Sequence, residues 1–538
     1  MIATGFAAWR DNRIPAQSHL VQSSFPETAI IDAQSGREVS WCDLNSRVDK
    51  IARGLLAKGL KKGDRLGIWA PNSIDWVTCF LAAAKTGIIA LCINIHFKER
   101  ELEDILSECR LTALCFADGF RDNNFNQIIK HLPHNIVPGL LIGLGTNHDS
   151  AVLPLTEIIE HGASVSAEKY TESVEAVSHI DPLVIQLTSG STAMPKRVIL
   201  SHRNITNNAI FSAQRLGIDS TDVLCLAIPL FHCFGLVSGL YFSLMTGCRL
   251  VILDSYNTEE ILSAVQRYRC TTLHGVPTIF NRLIQHETLA QYAIDTLKKG
   301  IVAGAFCPEQ LIRDITHRLG MSGIVVSYGQ TETSPCCTQG FPSDSLMIKG
   351  STIGKPLPYV EMCVIDWVTG ELCAPGDKGE LCTRGYHLMA GYDGDPQKTQ
   401  HVIDSHGWFH SGDIGFVDRD GYFHYLWRKK DIIIRGGENI SPREIESAIA
   451  EFPEVESVCV LGLASESLGE VVAAAVCPKN NMPLSESALM YFLHQRLARY
   501  KVPAHIFFFS TFPLTACGKI DIQSVQFSIN KLFVSFRE

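Results

Sequence analysis

The sequence predicts an α/β protein: a large N-terminal domain of parallel-rich αβα layers carrying a small β-barrel or β-rich subdomain, then a small α+β C-terminal domain. Two patterns carry this reading. Helical periodicity alternates with short apolar runs over the first 180 residues and continues through runs at 184–187, 223–228, 249–253 and 324–327. From about residue 354 the texture changes to short strands between glycine-rich turns. At 538 residues the chain is long enough for several domains of about 150 residues each. With 46% apolar and 19% charged residues and a mean hydropathy of +0.10, it is not a disordered chain. A net charge of −9 argues against a general electrostatic grip on nucleic acid.

The elements follow in order. Residues 43–58 are amphipathic, 64–70 read as a strand after Lys61-Lys62-Gly63, and 74–86 form an apolar helix. Gly87 ends that helix and opens a buried strand at 88–93. Residues 223–248 contain no Asp, Glu, Lys or Arg, yet Pro229, His232, Gly235 and Gly239 interrupt them, so a strand, a loop and a buried helix fit better than a membrane span. Short strands are expected at 360–365, 379–384, 415–417 and 422–426. Beyond Lys430 come a helix at 442–452, strands at 455–461 and 470–477, and a helix at 486–499. The expected boundary lies near residues 428–431. It gives units 1–427, with the β-rich part at about 354–427, and 428–538. Eighteen scattered cysteines without a C-x-x-C suit a reducing compartment. The first residues lack the apolar stretch of a signal peptide, so the expected location is cytoplasmic.

Two segments carry chemistry. Thr188-Ser-Gly-Ser-Thr192 follows a buried strand and precedes Lys196. Exposed backbone N–H groups, hydroxyls and one ammonium suit polyphosphate oxygens, although composition alone also fits a surface loop. No Walker loop, dinucleotide fingerprint or nucleophile elbow competes with it: Gly350-Ser-Thr-Ile-Gly-Lys355 is one residue short, Gly143-Leu-Gly145 lacks its third glycine, and Gly235-Leu-Val-Ser-Gly239 has its serine one place late. The second segment, Ser327-Tyr-Gly-Gln-Thr-Glu332, places a carboxylate just beyond an apolar strand, where it can hold Mg²⁺ on a nucleotide phosphate. His401, His406 and His410 match no zinc signature.

Together with Pro229-Leu-Phe-His-Cys-Phe-Gly235, Gly379-Glu-Leu-Cys-Thr-Arg-Gly385, Trp408-Phe-His-Ser-Gly-Asp413, the run from Arg428 to Pro442 and Pro513-Leu-Thr-Ala-Cys-Gly-Lys-Ile520, these segments resemble the adenylate-forming superfamily of acyl-CoA synthetases, peptide-synthetase adenylation domains and luciferases. The resemblance covers nearly the whole chain, and the acyl-CoA synthetases of medium-chain fatty acids are the most similar branch. It implies ATP-dependent activation of an apolar carboxylic acid to an acyl-adenylate, then transfer to CoA with release of AMP. A carrier-protein thiol as acceptor and a catalytically weakened nucleotide-binding homologue are the alternatives.

Residue by residue, the resemblance assigns Thr188, Ser189, Gly190, Ser191, Thr192 and Lys196 to the phosphates. Gly304, Ala305 and Phe306 lie along the adenine, with Tyr328 stacked on it beside Gly329. Thr331 and Glu332 meet the α-phosphate and Mg²⁺, and Asp413 with Arg428 holds the ribose. Lys519 is the mobile lysine that bridges carboxylate and adenylate, and Lys430 is the hinge. His232, Phe234, Gly235 and Ala303 wall the acyl pocket, and Gly436 and Gly437 approach the thiol channel. An apolar acid is favoured because residues 237–248 offer no aspartate for an α-ammonium group. The chain departs from the family at Ala193 and Arg197, where glycine is usual, at Trp427, also usually glycine, and at Phe306, usually proline.

Overall fold

The computed structural model describes residues 27–146, 149–188, 195–255, 257–305, 307–436, 438–465, 468–479, 484–515 and 518–535. Among them, two large sheets of nine and eight strands dominate the N-terminal part. The eight-stranded sheet is built on the parallel strands Arg65–Trp69, Ile89–Cys92, Ala113–Phe116, Leu140–Gly143 and Pro182–Thr188. The nine-stranded sheet is built on Val223–Leu226, Arg249–Ile252, Thr272–Leu273, Lys299–Ala303 and Gly323–Tyr328, again parallel. These strands read as continuous apolar runs because helices cover both faces. The sheets share one core: Leu66, Ile68 and Leu91 of one sheet and Leu224, Leu226 and Leu250 of the other belong to the same buried cluster. Helix Ile74–Lys85 is buried on nearly every position, which accounts for its lack of a polar face.

The expected elements recur, with differences of detail. The sequence marks no element between Thr188 and residue 223. The chain turns back, and Lys196–Ser201 pairs antiparallel with Pro182–Thr188, Thr188 lying opposite Lys196. The alternation of buried Val198 and Leu200 with more open neighbours is a strand pattern. Residues 223–248 form a strand that ends at Leu226, then a short helix Cys233–Gly235, a π-helical turn Leu236–Tyr241 and helix Phe242–Thr246. The helix expected at 486–499 ends at His494.

The β-rich part is a four-stranded antiparallel sheet, Val360–Ile365, Gly379–Gly385, Phe409–Val417 and Phe423–Arg428, adjacent in that order. Its last strand also bonds back to the segment that leads into its first, Ile353 N–H donating to the Phe423 carbonyl at 2.8 Å and Phe423 N–H to the Gly354 carbonyl at 2.9 Å. The C-terminal sheet comprises Ile433–Arg435, Glu438–Ile440, Val455–Ser465, Gly469–Pro478 and His505–Phe508. Val472, Ala474 and Val476 face one core with helices Pro442–Ala450 and Glu486–His494. Ala473, Ala475 and Cys477 face a second core with helix Ile522–Ser535. Among the described residues no helix is long and apolar enough to cross a membrane.

Three buried histidines and the half-buried His232 fix the response to acid. Burial holds His202 down to about 4 and His232, His274 and His387 down to about 3. The folded state keeps them neutral while the unfolded chain titrates near 6.5, so their contribution is intact above that pH and is lost as pH falls through the folded values. Each group adds up to about 1.4 kcal/mol per pH unit to the slope. Urea unfolding between pH 7 and 5 should therefore show stability falling with acid, and His387→Gln should flatten the slope by about one proton. An unchanged slope in that variant contradicts the assignment.

Candidate active site

The carboxyl ends of the parallel strands in the nine-stranded sheet converge on one cleft, the usual place for ligands in such sheets. Ala303 pairs with Ser327 in register, so Gly304 and Ala305 emerge beside Tyr328 and Gly329. Gly329 approaches the chain so closely that a Cβ there would sit 1.9 Å from the Pro335 carbonyl oxygen. After Tyr328 the chain tightens into the 3₁₀ turn Thr331–Thr333, which buries Glu332 to 5% exposure.

Asp413 and Arg428 lie opposite each other on adjacent strands, with Arg428 Nε 2.9 Å from Asp413 Oδ1. Burial opposes the charge on Arg428, but Asp413 outweighs it and holds the guanidinium ionised. Asp413 Oδ2 also accepts from the Tyr328 hydroxyl at 2.8 Å and from Gln330 Nε2 at 3.0 Å. Burial, with Asp413 adding to it, drives the Tyr328 phenol well above its ordinary value, so it stays a donor. Tyr328 thus stands beside the Asp413–Arg428 pair, with Tyr425 6.2 Å behind it.

The eight-stranded sheet supplies the opposite wall. Thr188 and Lys196 close the base of the hairpin; Ser189, Gly190, Ser191, Thr192 and Ala193 lie outside the described residues, as do Phe306 and Gly437. Lys196 Nζ stands 3.6 Å from Glu332 Oε1. Between them is Tyr392, whose hydroxyl donates to Glu332 Oε1 at 2.8 Å and accepts from Lys196 Nζ at 3.2 Å.

His232 caps the short helix after the loop 227–231, its Nδ1 accepting from Phe234 N at 3.2 Å. Burial, reinforced by the neighbouring Lys519, keeps its ring neutral, so the proton sits on Nε2. Phe234 and Gly235 are buried behind it, and Phe234 faces the His274 ring at 6.3 Å.

Lys519 reaches this cleft from the C-terminal part. Gly304, at φ +85°, has no Cβ, and Lys519 Cε fills that space, 2.7 Å from where a Cβ would be. The turn carrying Lys519 is closed by Thr515 N–H to the Lys519 carbonyl, and Thr278 Oγ1 donates to the Gly518 carbonyl. A second tie lies near residue 428: Arg443 Nη1 donates to the Tyr425 carbonyl at 2.7 Å and its guanidinium covers the Tyr425 ring at 4.8 Å. Burial lowers Arg443 to about 10 and pushes Glu446, one turn along the helix, up to about 7.

The structure therefore brings together Lys196, Glu332, Tyr328, Asp413, Arg428, Gly304, His232 and Lys519. Two expected residues stand apart. Lys430 is exposed in the 3₁₀ turn Lys429–Asp431, and Gly436 is exposed in a hairpin turn against Leu468. Sequence reasoning missed Tyr392, Gln330, Tyr425 and Arg443. Tyr392 lies between two quoted motifs, and no spacing rule connects it to Lys196, which is 196 residues away. His410, grouped in sequence with His401 and His406, instead shares its strand face with Glu380 and Cys382.

The pattern of AMP-binding enzymes matches residues 20–393, and that of the AMP-binding enzyme C-terminal domain matches 444–519. A putative acyl-CoA synthetase, YngI of Bacillus subtilis, is 33% identical over 506 residues, covering 91% of this chain and 92% of its own. The human mitochondrial medium-chain acyl-CoA ligase ACSF2 is 34% identical over 511 residues, covering 91% and 83%. Among solved structures, ATP-bound MatB from Rhodopseudomonas palustris superposes with a TM-score of 0.83 at 26% identity, covering 97% of this chain and 99% of that one.

Arg443→Ala removes one of the two ties and should loosen the C-terminal part by about 1–3 kcal/mol. Trypsin cleavage at the exposed Lys429 and Lys430 should accelerate several-fold, while the melting transition of the N-terminal part stays in place. Unchanged cleavage refutes a holding role for Arg443.

Proposed function

The chain belongs to the AMP-binding enzyme family, and we propose that it activates an apolar, medium-chain carboxylic acid with ATP to an acyl-adenylate and transfers the acyl group to CoA. The observation that carries this reading is Lys519 seated against Gly304 beside neutral His232, across the cleft from Lys196 and Glu332. A carboxylate and an α-phosphate repel each other. Two ammonium groups on opposite sides of the attacking pair would neutralise the charge that spreads in the transition state. Asp413 and Arg428 would take the ribose hydroxyls, and Tyr328 the adenine face.

Glu332 suits a magnesium ion. It is a buried carboxylate, and its Oε2 has no protein hydrogen bond among the described residues, a hard oxygen donor available for a metal. When bound with the nucleotide, Mg²⁺ supplies neutralisation of the pyrophosphate leaving group.

For the acid, the segment after His232 is apolar and buried from Cys233 to Leu244, which favours an alkyl chain over an ammonium-bearing one. Acids of intermediate length should gain up to about 0.8 kcal/mol per methylene until the pocket is full. Acid-dependent ATP–pyrophosphate exchange across straight-chain, aryl and amino acids tests this, and activity confined to amino or small aryl acids rejects it. We take residues 1–427 and 428–538 as the two working units, with Lys430 as the hinge that presents the Gly436–Gly437 turn to the thiol.

Lys519→Ala should lose acyl-adenylate formation, raising the barrier by roughly 3 kcal/mol, yet still convert supplied acyl-adenylate to thioester. Lys430→Pro, which fixes φ at the hinge, should keep exchange and lose thioester formation. Loss of the same half-reaction by both variants contradicts the rotation. Comparing CoA with a phosphopantetheinyl carrier protein as acceptor identifies the thiol.

A further inference from the structure

We propose that Tyr392 is a positioning residue for nucleotide activation: its hydroxyl keeps the Lys196 ammonium and the Glu332 carboxylate apart and aims one carboxylate oxygen at the cation that accompanies the nucleotide. The inference presupposes the adenylating activity proposed above.

An ammonium and a carboxylate in a cleft as closed as this would be expected to meet at about 2.7–2.9 Å. Here Nζ and Oε1 stand 3.6 Å apart, and the Tyr392 hydroxyl bridges them, donating to the acid at 2.8 Å and accepting from the base at 3.2 Å. The Lys196 ammonium also lies 5.1 Å from the centre of the Tyr392 ring. Lys196 is therefore held at ion-pair distance from the acid without a direct hydrogen bond to it. Among the described residues the Glu332 carboxylate is tied through Oε1 alone. Tyr392 and Glu332 are each about 5% exposed, so the phenol–carboxylate bond is buried.

The hydroxyl can do this only if its backbone is fixed, and Tyr392 belongs to a strand of two residues, Gly391–Tyr392, at the sheet edge. The next residue supplies the fixing. Asp393 accepts two hydrogen bonds from Arg65, at 2.7 and 3.0 Å, and one from Arg197 Nε at 3.3 Å. Arg197 Nη2 donates to the Asp393 carbonyl at 2.9 Å, and Asp393 N–H donates to the Arg197 carbonyl at 2.8 Å. Arg197 Nη1 reaches Glu108 at 3.2 Å. The bracket gives the Arg197 side chain a purpose: it clamps the short strand onto the hairpin that bears Lys196.

Tyr392→Phe keeps the ring and deletes the bridge, so Lys196 and Glu332 should close on each other. Manganese binding, read by electron paramagnetic resonance with a non-hydrolysable ATP analogue, should weaken about tenfold, and KM for ATP should rise by a similar factor. KM for the acid and the melting temperature should not move. Arg197→Ala should give a smaller weakening of the same two quantities, largely restored in Arg197→Lys. Unchanged manganese binding in Tyr392→Phe overturns the proposal, and so does a parallel rise of both KM values with a lowered melting temperature. If the wild-type protein binds manganese with the nucleotide but shows no exchange with any acid, the activity reading fails instead, and the binding comparison still decides the role of Tyr392.

Discussion

The Asp413 carboxylate is where the separate parts of this protein meet. It sits on the four-stranded sheet, is almost fully buried, and is reached by three donors from two places. Tyr328 and Gln330 come from the end of the nine-stranded sheet, and Arg428 from the last residue before the exposed turn at 429–431. A buried carboxylate left with fewer partners would cost several kcal/mol. The small sheet therefore cannot drift from the large one without exposing that cost, and the strand that ends at Arg428 is held in place up to the turn. The orientation of the C-terminal part begins from this fixed point.

The large-scale fold was legible in the sequence because parallel strands buried on both faces leave a strong signal. The runs at 88–93, 223–226 and 323–328 have no other explanation as compact as buried strands between helices. The signal failed where local pattern and topology part company. The hairpin after Thr188 was hidden because a glycine- and serine-rich turn precedes either a strand or a helix equally well. The π-helical turn at 236–241 has no sequence period of its own.

The candidate site divides in the same way. Glu332, Asp413, Arg428, His232 and Lys519 stand in motifs with recognisable neighbours, and the fold gathers them. Tyr392, Gln330 and Arg443 act through side chains that meet partners across long stretches of chain, such as Lys196 with Tyr392 and Arg443 with Tyr425. In the sequence Arg197 stood out only as a departure from the glycine usual in the family it resembles. It lies instead within a strand, paired with Leu187, where a side chain carries no φ penalty and can bracket Asp393.

The ties between the C-terminal part and the rest suit a joint that must both hold and release. At the tip, Thr278 meets Gly518 and Lys519 fills the space left by Gly304, contacts of modest net value once solvent competes for the same groups. Near the turn, Arg443 is bound to the Tyr425 carbonyl but carries a desolvated charge, with Glu446 driven toward neutrality close by. Burial of that charge opposes the hydrogen bond it accompanies, so the tie is specific in geometry without being strong in free energy. A docking surface made from many apolar contacts would have been stable and immobile. One made from a few hydrogen bonds around a partly desolvated arginine can be exchanged for another arrangement at a cost of a few kcal/mol. On the proposed reading, that is the condition for Lys519 to complete one half-reaction and then leave the cleft to the thiol.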